Sequence, residues 1–305
     1  MKIFTQLMDL DLKFKKTTIA LGTFDGVHIG HQKIIGKAVN IAKQINAVSV
    51  VFTFQNHPLA LIDPERCPLQ IDSPKYKAAL VEALGVGILL CMPVTKEFLE
   101  LSPQEFILLL RQYLNPAYLV VGPNYSYGHK GAGTPELLKK AGEENGFQVI
   151  VHPPVHVGDT LVSSTAIRQY IQAGMVERAT ALLGRPHRVS GPVVDGERRG
   201  RKLGFPTANL NVLECGVMPG DGVYAVGVEF AGKRYRAVAN VGNNPTFKGI
   251  SRRLEVHIID FSGVLYGQIL TVEFLAKIRD EVKFSDVEEL KAQLVHDVES
   301  AQQYF

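Results

Sequence analysis

Between residues 18 and 155, short apolar runs alternate with stretches of helical period, and this alternation limits the fold more than any other feature of the chain. Thr18–Leu21, Ala47–Phe54, Val86–Val94, Tyr118–Gly122 and Phe147–Val155 are strand-like. Patterns around 73–84, 102–113 and 134–146 read as helices. So does the run after His31, where Ile34, Ile35, Ala38, Ile41, Ala42 and Ile45 share one face. Pro103 and Pro135 stand at two helix starts, where a missing N–H costs little. Short apolar strands joined by helices imply a parallel sheet covered on both faces. Residues 1–184 are therefore expected to form an α/β, Rossmann-like domain.

The stretch Gly22-Thr23-Phe24-Asp25-Gly26-Val27-His28-Ile29-Gly30-His31 falls at the turn between the first of these strands and the helix that follows. Ligands of α/β domains bind at such carboxyl ends of strands. The first N–H groups of the helix lack intrahelical partners and point at an anion. His28 and His31 are spaced to lie side by side, and Gly30 between them lets a phosphate approach the backbone. The stretch reads as a triphosphate site with two imidazoles; a turn carrying two surface histidines is the plainer alternative. Ser163-Ser164-Thr165-Ala166-Ile167-Arg168 opens another helix, capped by Ser and ended by Gly174. Hydroxyls and an Arg at a helix start make a second anion cradle, or simply a capped helix with a surface Arg. Beside the His pair, the cradle is the preferred reading.

Leu183-Gly184-Arg185-Pro186 reads as a linker, and the texture changes after it. Val223–Phe230, Arg234–Val241, Leu254–Phe261 and Ile269–Phe274 are closely spaced strands, the first two joined by an Ala231-Gly232-Lys233 hairpin loop. Residues 187–305 are expected to form a small antiparallel barrel with a closing helix. Ser285 and Glu288 would form the capping box of that helix, and Val287, Leu290, Leu294 and Val298 its buried stripe. In Gly204-Phe205-Pro206-Thr207-Ala208-Asn209, an extended backbone puts Thr207 and Asn209 on one face, two hard oxygen donors of the kind Mg²⁺ accepts. The Gly-rich approach from Gly191 to Gly204 carries Arg198, Arg199, Arg201 and Lys202; it reads as a flexible loop that folds over phosphates, or as a solvated charged loop. Period two in Leu254–Ile258 puts Glu255 and His257 on one face, where Glu255 suits a general base or merely faces solvent.

Several classes are excluded. The chain has no Walker loop and no Gly-x-Gly-x-x-Gly, which argues against ordinary NTPases and dinucleotide enzymes. A net charge of +3 over 305 residues does not argue for a nucleic-acid or membrane surface. Cys67, Cys91 and Cys215 are scattered and odd in number, so no structural zinc or disulfide framework is expected. Asp9 and Asp11 break the first apolar stretch, and Leu84–Val94 is too short to span a bilayer. A soluble cytoplasmic protein is expected.

Taken together, these motifs resemble the bacterial bifunctional riboflavin kinase/FMN adenylyltransferases, or FAD synthetases. The first half is similar to the nucleotidyltransferase relatives of class I aminoacyl-tRNA synthetases through Gly22–His31 and Ser163–Arg168. The second is similar to the riboflavin kinase barrel through Gly204–Asn209, Gly222-Val223-Tyr224, Asn240–Phe247, Glu255–Ile258 and Ile278–Glu281, in the family's order. The resemblance implies that the barrel phosphorylates riboflavin to FMN and that the first domain joins FMN to the AMP part of a second ATP, giving FAD and pyrophosphate. Gly22, Phe24, Asp25, Gly26 and Gly30 would shape the adenylyl ATP site, with His28, His31, Ser164, Thr165 and Arg168 stabilising phosphate charge. In the barrel, Gly191, Lys202, Pro206 and Thr207 would hold ATP, Thr207 and Asn209 the Mg²⁺, Arg279 the flavin, and Glu255 would be the base. Family members often carry Asp-Phe where this chain has Asn124-Tyr125, so Asn124 would meet FMN without a charge. The implied partners are small molecules alone, with no nucleic acid, membrane or obligate protein. A chain keeping one activity, or a non-enzymatic flavin-binding regulator, are the alternatives.

Overall fold

The computed structural model describes residues 1–10, 15–196, 204–212, 216–246 and 249–305. It divides into two compact units, Met1–Val162 and Ser163–Phe305.

In the first unit, β1 (Lys2–Phe4), β2 (Thr17–Leu21), β3 (Val48–Phe54), β4 (Ile88–Met92), β5 (Pro116–Val121) and β6 (Gln148–Val151) form, among the described residues, a sheet in the order β1-β4-β3-β2-β5-β6. Every pairing in it is parallel. Between the strands run α1 (Ile29–Gln44), α2 (Leu59–Ile62), α3 (Pro74–Ala83), α4 (Lys96–Glu100), α5 (Pro103–Leu114) and α6 (Pro135–Asn145). Alternate residues of β2 serve opposite cores: Ile19 and Leu21 pack with Phe106, Leu110 and Leu138, while Ala20 packs with Ile35, Ala38 and Val81. The sheet is thus covered on both faces, as continuous apolar strands require. Pro103 and Pro135 occupy the first helical positions, behind the N-caps Ser102 and Thr134. Ile45 lies at the C-cap of α1 and is 37% exposed, so the apolar stripe of that helix stops at Ala42. A small hairpin, β7 (His156–Val157) with β8 (Thr160–Leu161), ends the unit.

The second unit opens with α7 (Ser164–Gln172) and α8 (Val176–Leu183). β9 (His187–Val194), β10 (Ala208–Leu210), β11 (Gly222–Phe230), β12 (Lys233–Thr246), β13 (Gly249–Ile258) and β14 (Ile269–Arg279) close a barrel in the order β10-β13-β12-β11-β14-β9. Alternation sorts the residues of β11: Tyr224, Val226 and Val228 fill the barrel, and Val223 and Ala225 face outward with Val238 toward α9 (Val287–Ala301). Ala231 and Gly232, at φ 49° and 74°, make the tight turn expected between β11 and β12.

Three expectations about β9 and α9 shift. Gly191–Val194, expected in a loop, complete the barrel strand β9: His187, Val189, Gly191 and Val193 point inward, and the Gly and Pro in the segment hide that period. The cap of α9 moves by one residue; Asp286 accepts from the Glu289 N–H, and Ser285 donates to Glu289 Oε2. The stripe of that helix is only half-buried and Val287 is exposed, because Leu290, Leu294 and Val298 line a cavity instead of a closed core. The segment 184–186 joins α8 to β9 inside the second unit. α8 belongs with the barrel: Val176 is wholly buried in its core, and Glu177 accepts from the Lys277 backbone N–H.

Candidate functional site

The turn after β2 is strained. Phe24 (φ 48°), Gly26 (φ 82°) and Val27 (φ 33°) lie in the left-handed region, which non-glycine residues adopt at a cost. Two buried polar groups hold it in place. Asp25 Oδ1 accepts from the Ile71 N–H at 2.9 Å. Lys77 of α3, almost wholly buried, donates to Phe54 O at 2.8 Å and Thr23 O at 3.5 Å, tying the ends of β2 and β3 together. Burial pushes the Lys77 ammonium pKa down, against the opposing pull of Cys91, Asp25 and Asp72.

The turn delivers His28 as the N-cap of α1. Its Nδ1 accepts from the His31 N–H at 3.2 Å, which leaves the proton of the neutral ring on Nε2. The His28 and His31 rings stack with centroids 3.5 Å apart, and Phe24 meets His31 edge-on at 5.2 Å. Withdrawal from water, then the neighbouring charges of His28 and Lys77, hold His31 well below the usual imidazole range. Gly30 also has a packing reason: a Cβ there would come within 3.2 Å of the His28 ring. Gly26 combines its left-handed backbone with a close approach to Ile71, whose Cδ1 would be 2.9 Å from a Cβ. Gly22 precedes Phe24, and its Cβ would touch the Phe24 ring at 3.0 Å. Asn124 is exposed in the turn that follows β5.

In the second unit, Ser163 caps α7 by accepting from the Ala166 N–H at 3.2 Å. Ser164, Thr165 and Arg168 lie in the first two turns of that helix. The structure therefore assigns the His pair and the Ser163–Arg168 element to different compact units.

Between the barrel wall and α9 lies a cavity of about 620 Å³, a size suited to one small ligand. Cross-strand register explains its polar wall. Asn209 pairs with Glu255, Glu255 with Asn240, Asn240 with Val223, and Val223 with Arg279, one row across five strands. Glu255, Asn240, Val223 and Arg279 all line the cavity, with Thr207 and His257 beside them. His257 Nδ1 donates to Pro206 O at 2.9 Å, and its ring meets Phe205 edge-on at 5.4 Å. Arg253, two residues before Glu255, comes within 3.5 Å of Glu255 Oε1. Arg279 makes a fork to buried Asp297 of α9, with Nε–Oδ1 at 2.8 Å and Nη2–Oδ2 at 2.7 Å, and Gln293 completes the clamp at 2.9 Å.

Two family models divide the chain between them: FAD synthetase matches residues 11–166 and riboflavin kinase residues 183–305. A bifunctional riboflavin kinase/FMN adenylyltransferase of Bacillus subtilis is 36% identical over 95% of this chain and 93% of its own. The chain belongs to the bifunctional riboflavin kinase/FMN adenylyltransferase family. The Escherichia coli K12 member is 37% identical over 94% of this chain and 92% of its own. A solved structure described as a macrolide-efflux protein of Streptococcus pneumoniae shares 36% identity and superposes with a TM-score of 0.92, covering 99% of both chains. Among the described residues of this chain, no helix is long and apolar enough to cross a membrane.

In the riboflavin kinase half, the expected Glu255, Thr207 and Arg279 meet at one cavity. Asn209 stands next to Glu255 in register. Lys202 lies outside the described residues. Gly191 sits inside the barrel on β9, where a Cβ would strike Asn211 O, so close packing accounts for it. Sequence reading missed Asn240, Arg253 and Asp297. Alternation on β12 carried a signal for Asn240, since Ala239 and Val241 on either side point into the core. Asp297 left no such trace, because its meaning comes from a partner 18 residues away. In the FAD synthetase half, Lys77 was missed; a lysine one helical turn from buried Val81 was the available signal.

Proposed function

We propose that this enzyme runs its two reactions through two different sets of residues, the kinase set in the barrel cavity and the adenylyl set led by the His pair at the turn after β2. In the riboflavin kinase barrel, riboflavin occupies the cavity under α9 with its terminal ribityl hydroxyl at Glu255. Glu255 takes the hydroxyl proton as that oxygen bonds to the γ-phosphorus of ATP and the bond to the β-phosphate oxygen breaks, releasing ADP. The observation that carries this reading is the row of register partners that aligns Glu255 with Asn209 on one side and the Asp297-clamped Arg279 on the other. Arg279 is held by two bonds and so faces the flavin in a fixed orientation.

Thr207 Oγ1 and the Asn209 amide oxygen are neutral hard donors beside one carboxylate, a set that fits an ion which keeps most of its water. They would hold Mg²⁺, which supplies charge neutralisation on the phosphates when bound. The family resemblance assigns Pro206 and Lys202 to ATP as well.

In the FAD synthetase half, an FMN phosphate oxygen attacks the α-phosphorus of ATP, and the bond to the pyrophosphate oxygen breaks. That nucleophile is already ionised, so the step calls for charge stabilisation and no base. His28 offers an Nε2–H donor to the phosphates. His31 rests neutral in the free protein and gains a proton affinity from the incoming negative charge. Ser164, Thr165 and Arg168 add donors, and Asn124 meets FMN. The setting that goes with this chemistry is cytoplasmic, with small molecules as sole partners.

Incubation with riboflavin, ATP and Mg²⁺, with the flavins separated over time, tests the proposal. FMN should appear first and FAD after a lag. Accumulation of FMN without FAD would limit the chain to one activity, and no turnover of either flavin would leave a binding protein.

A further inference from the structure

Asn240 and Glu255 are register partners on β12 and β13, so their side chains stand side by side in the cavity wall. Asn240 Nδ2 donates to Glu281 Oε1 at 3.3 Å. A carboxylate only accepts, so this bond fixes which way round the amide sits. The amide oxygen is then left over: Asn240 Oδ1 is buried and, among the described residues, has no hydrogen-bond partner. Arg253 lines the same cavity, and its Nε is also buried without a partner. The rest of the wall is largely apolar, with Val223, Val238, Leu290 and Leu294 among its residues.

Buried polar atoms in native proteins find partners in protein or water, and an orphan atom in the wall of a ligand cavity is placed to take one from the ligand. One orphan acceptor and one orphan donor beside a general base call for groups that both give and take hydrogen bonds. A hydroxyl does both at one atom, whereas the flavin ring gives and takes only at separate atoms of its imide edge. The ribityl chain carries three secondary hydroxyls next to the terminal one. We propose that Asn240 Oδ1 accepts a hydrogen bond from a secondary ribityl hydroxyl close to the one handled by Glu255, making Asn240 a specificity-determining residue for the polyol chain. The neighbouring position of Asn240 and Glu255 selects the 3′ or 4′ hydroxyl over the 2′. This inference rests on reading the cavity as the riboflavin site.

The test compares kcat/KM for riboflavin and its 2′-, 3′- and 4′-deoxy analogues in the full-length protein and in Asn240→Leu. The unvaried protein should prefer riboflavin over the 3′- or 4′-deoxy analogue by roughly 5–150-fold, the cost of leaving a buried acceptor unpaired. In Asn240→Leu that preference should fall to near unity for the same analogue, while preferences against the other two persist. Asn240→Ser, smaller and still polar, serves if the Leu variant does not fold. Equal use of all four flavins by the unvaried protein would overturn the proposal, as would full discrimination surviving in either variant. Glu255→Gln separates the two readings. If it keeps a normal kinase rate, the assignment of the base fails, while the analogue panel still reports on Asn240.

Discussion

Asn209 on β10 and Glu255 on β13 are antiparallel register partners, so an amide and a carboxylate stand side by side on one face of the barrel wall. Thr207, two residues earlier, lines the cavity next to them. Thr207→Val keeps the shape of the side chain and deletes its oxygen. The Mg²⁺ concentration for half-maximal riboflavin phosphorylation should rise by roughly 10–100-fold, the range for disturbed metal shells. An unchanged Mg²⁺ titration would remove Thr207 from the metal site.

His187 gives the barrel a pH dependence with a defined sign. Its Nε2 lies 3.0 Å from Val217 O and so donates to it, while its buried Nδ1 has no partner, so protonation would bury an N–H with no acceptor. Burial accordingly lowers its pKa from 6.5 to about 4. The unfolded chain then binds more protons than the folded one between these values, and stability falls as pH drops through that window. The loss should be on the order of 3 kcal/mol, at about 1.4 kcal/mol per pH unit. His187→Gln keeps a donor for Val217 O and cannot titrate. Urea midpoints of the barrel transition, measured from pH 7 to pH 4, should show a shallower slope in this variant; parallel slopes would contradict the assignment.

The place of α8 predicts where the barrel can be cut. Val176 is wholly buried among barrel residues, Gly220 N–H donates to Ile171 O at 3.0 Å, and a Cβ on Gly174 would lie 2.7 Å from the Tyr224 hydroxyl. A fragment of residues 163–305 should therefore melt several degrees above one of residues 187–305, because exposing the groove left by Val176 alone costs about 1.5–3 kcal/mol. Differential scanning calorimetry of the two fragments decides it. Equal melting temperatures would place the independent kinase boundary at 187, where sequence texture puts it.

Local pattern made much of this legible in the sequence. The helix after Gly22–His31, the strands of the first unit and the shared face of Glu255 and His257 all follow from period and spacing. Three kinds of information did not. Strand order, with β4 between β1 and β3, depends on pairings that no single segment encodes. β9 was obscured because Gly191 and Pro192 interrupt an alternation that Asn211 O enforces sterically. The partners of site residues were invisible because they are set by register: Asn240 opposite Glu255, and Asp297 against Arg279. The amide at Asn124 was legible as chemistry, and the structure adds only that it is exposed in the turn after β5.

The proposed function rests on a division of labour, with a separate set of residues for each reaction. Its most direct measurement is a time course of riboflavin, FMN and FAD with His31→Ala and Glu255→Gln side by side, each checked for folding. Loss of one preorganised donor costs roughly 10²–10³ in rate, and loss of a general base about 10²–10⁴. His31→Ala should make FMN at the normal rate and nearly stop there. Glu255→Gln should leave riboflavin nearly untouched yet convert supplied FMN to FAD normally. If either folded variant lost both activities together, or if Glu255→Gln phosphorylated riboflavin within about twofold of the unvaried rate, that division would be contradicted.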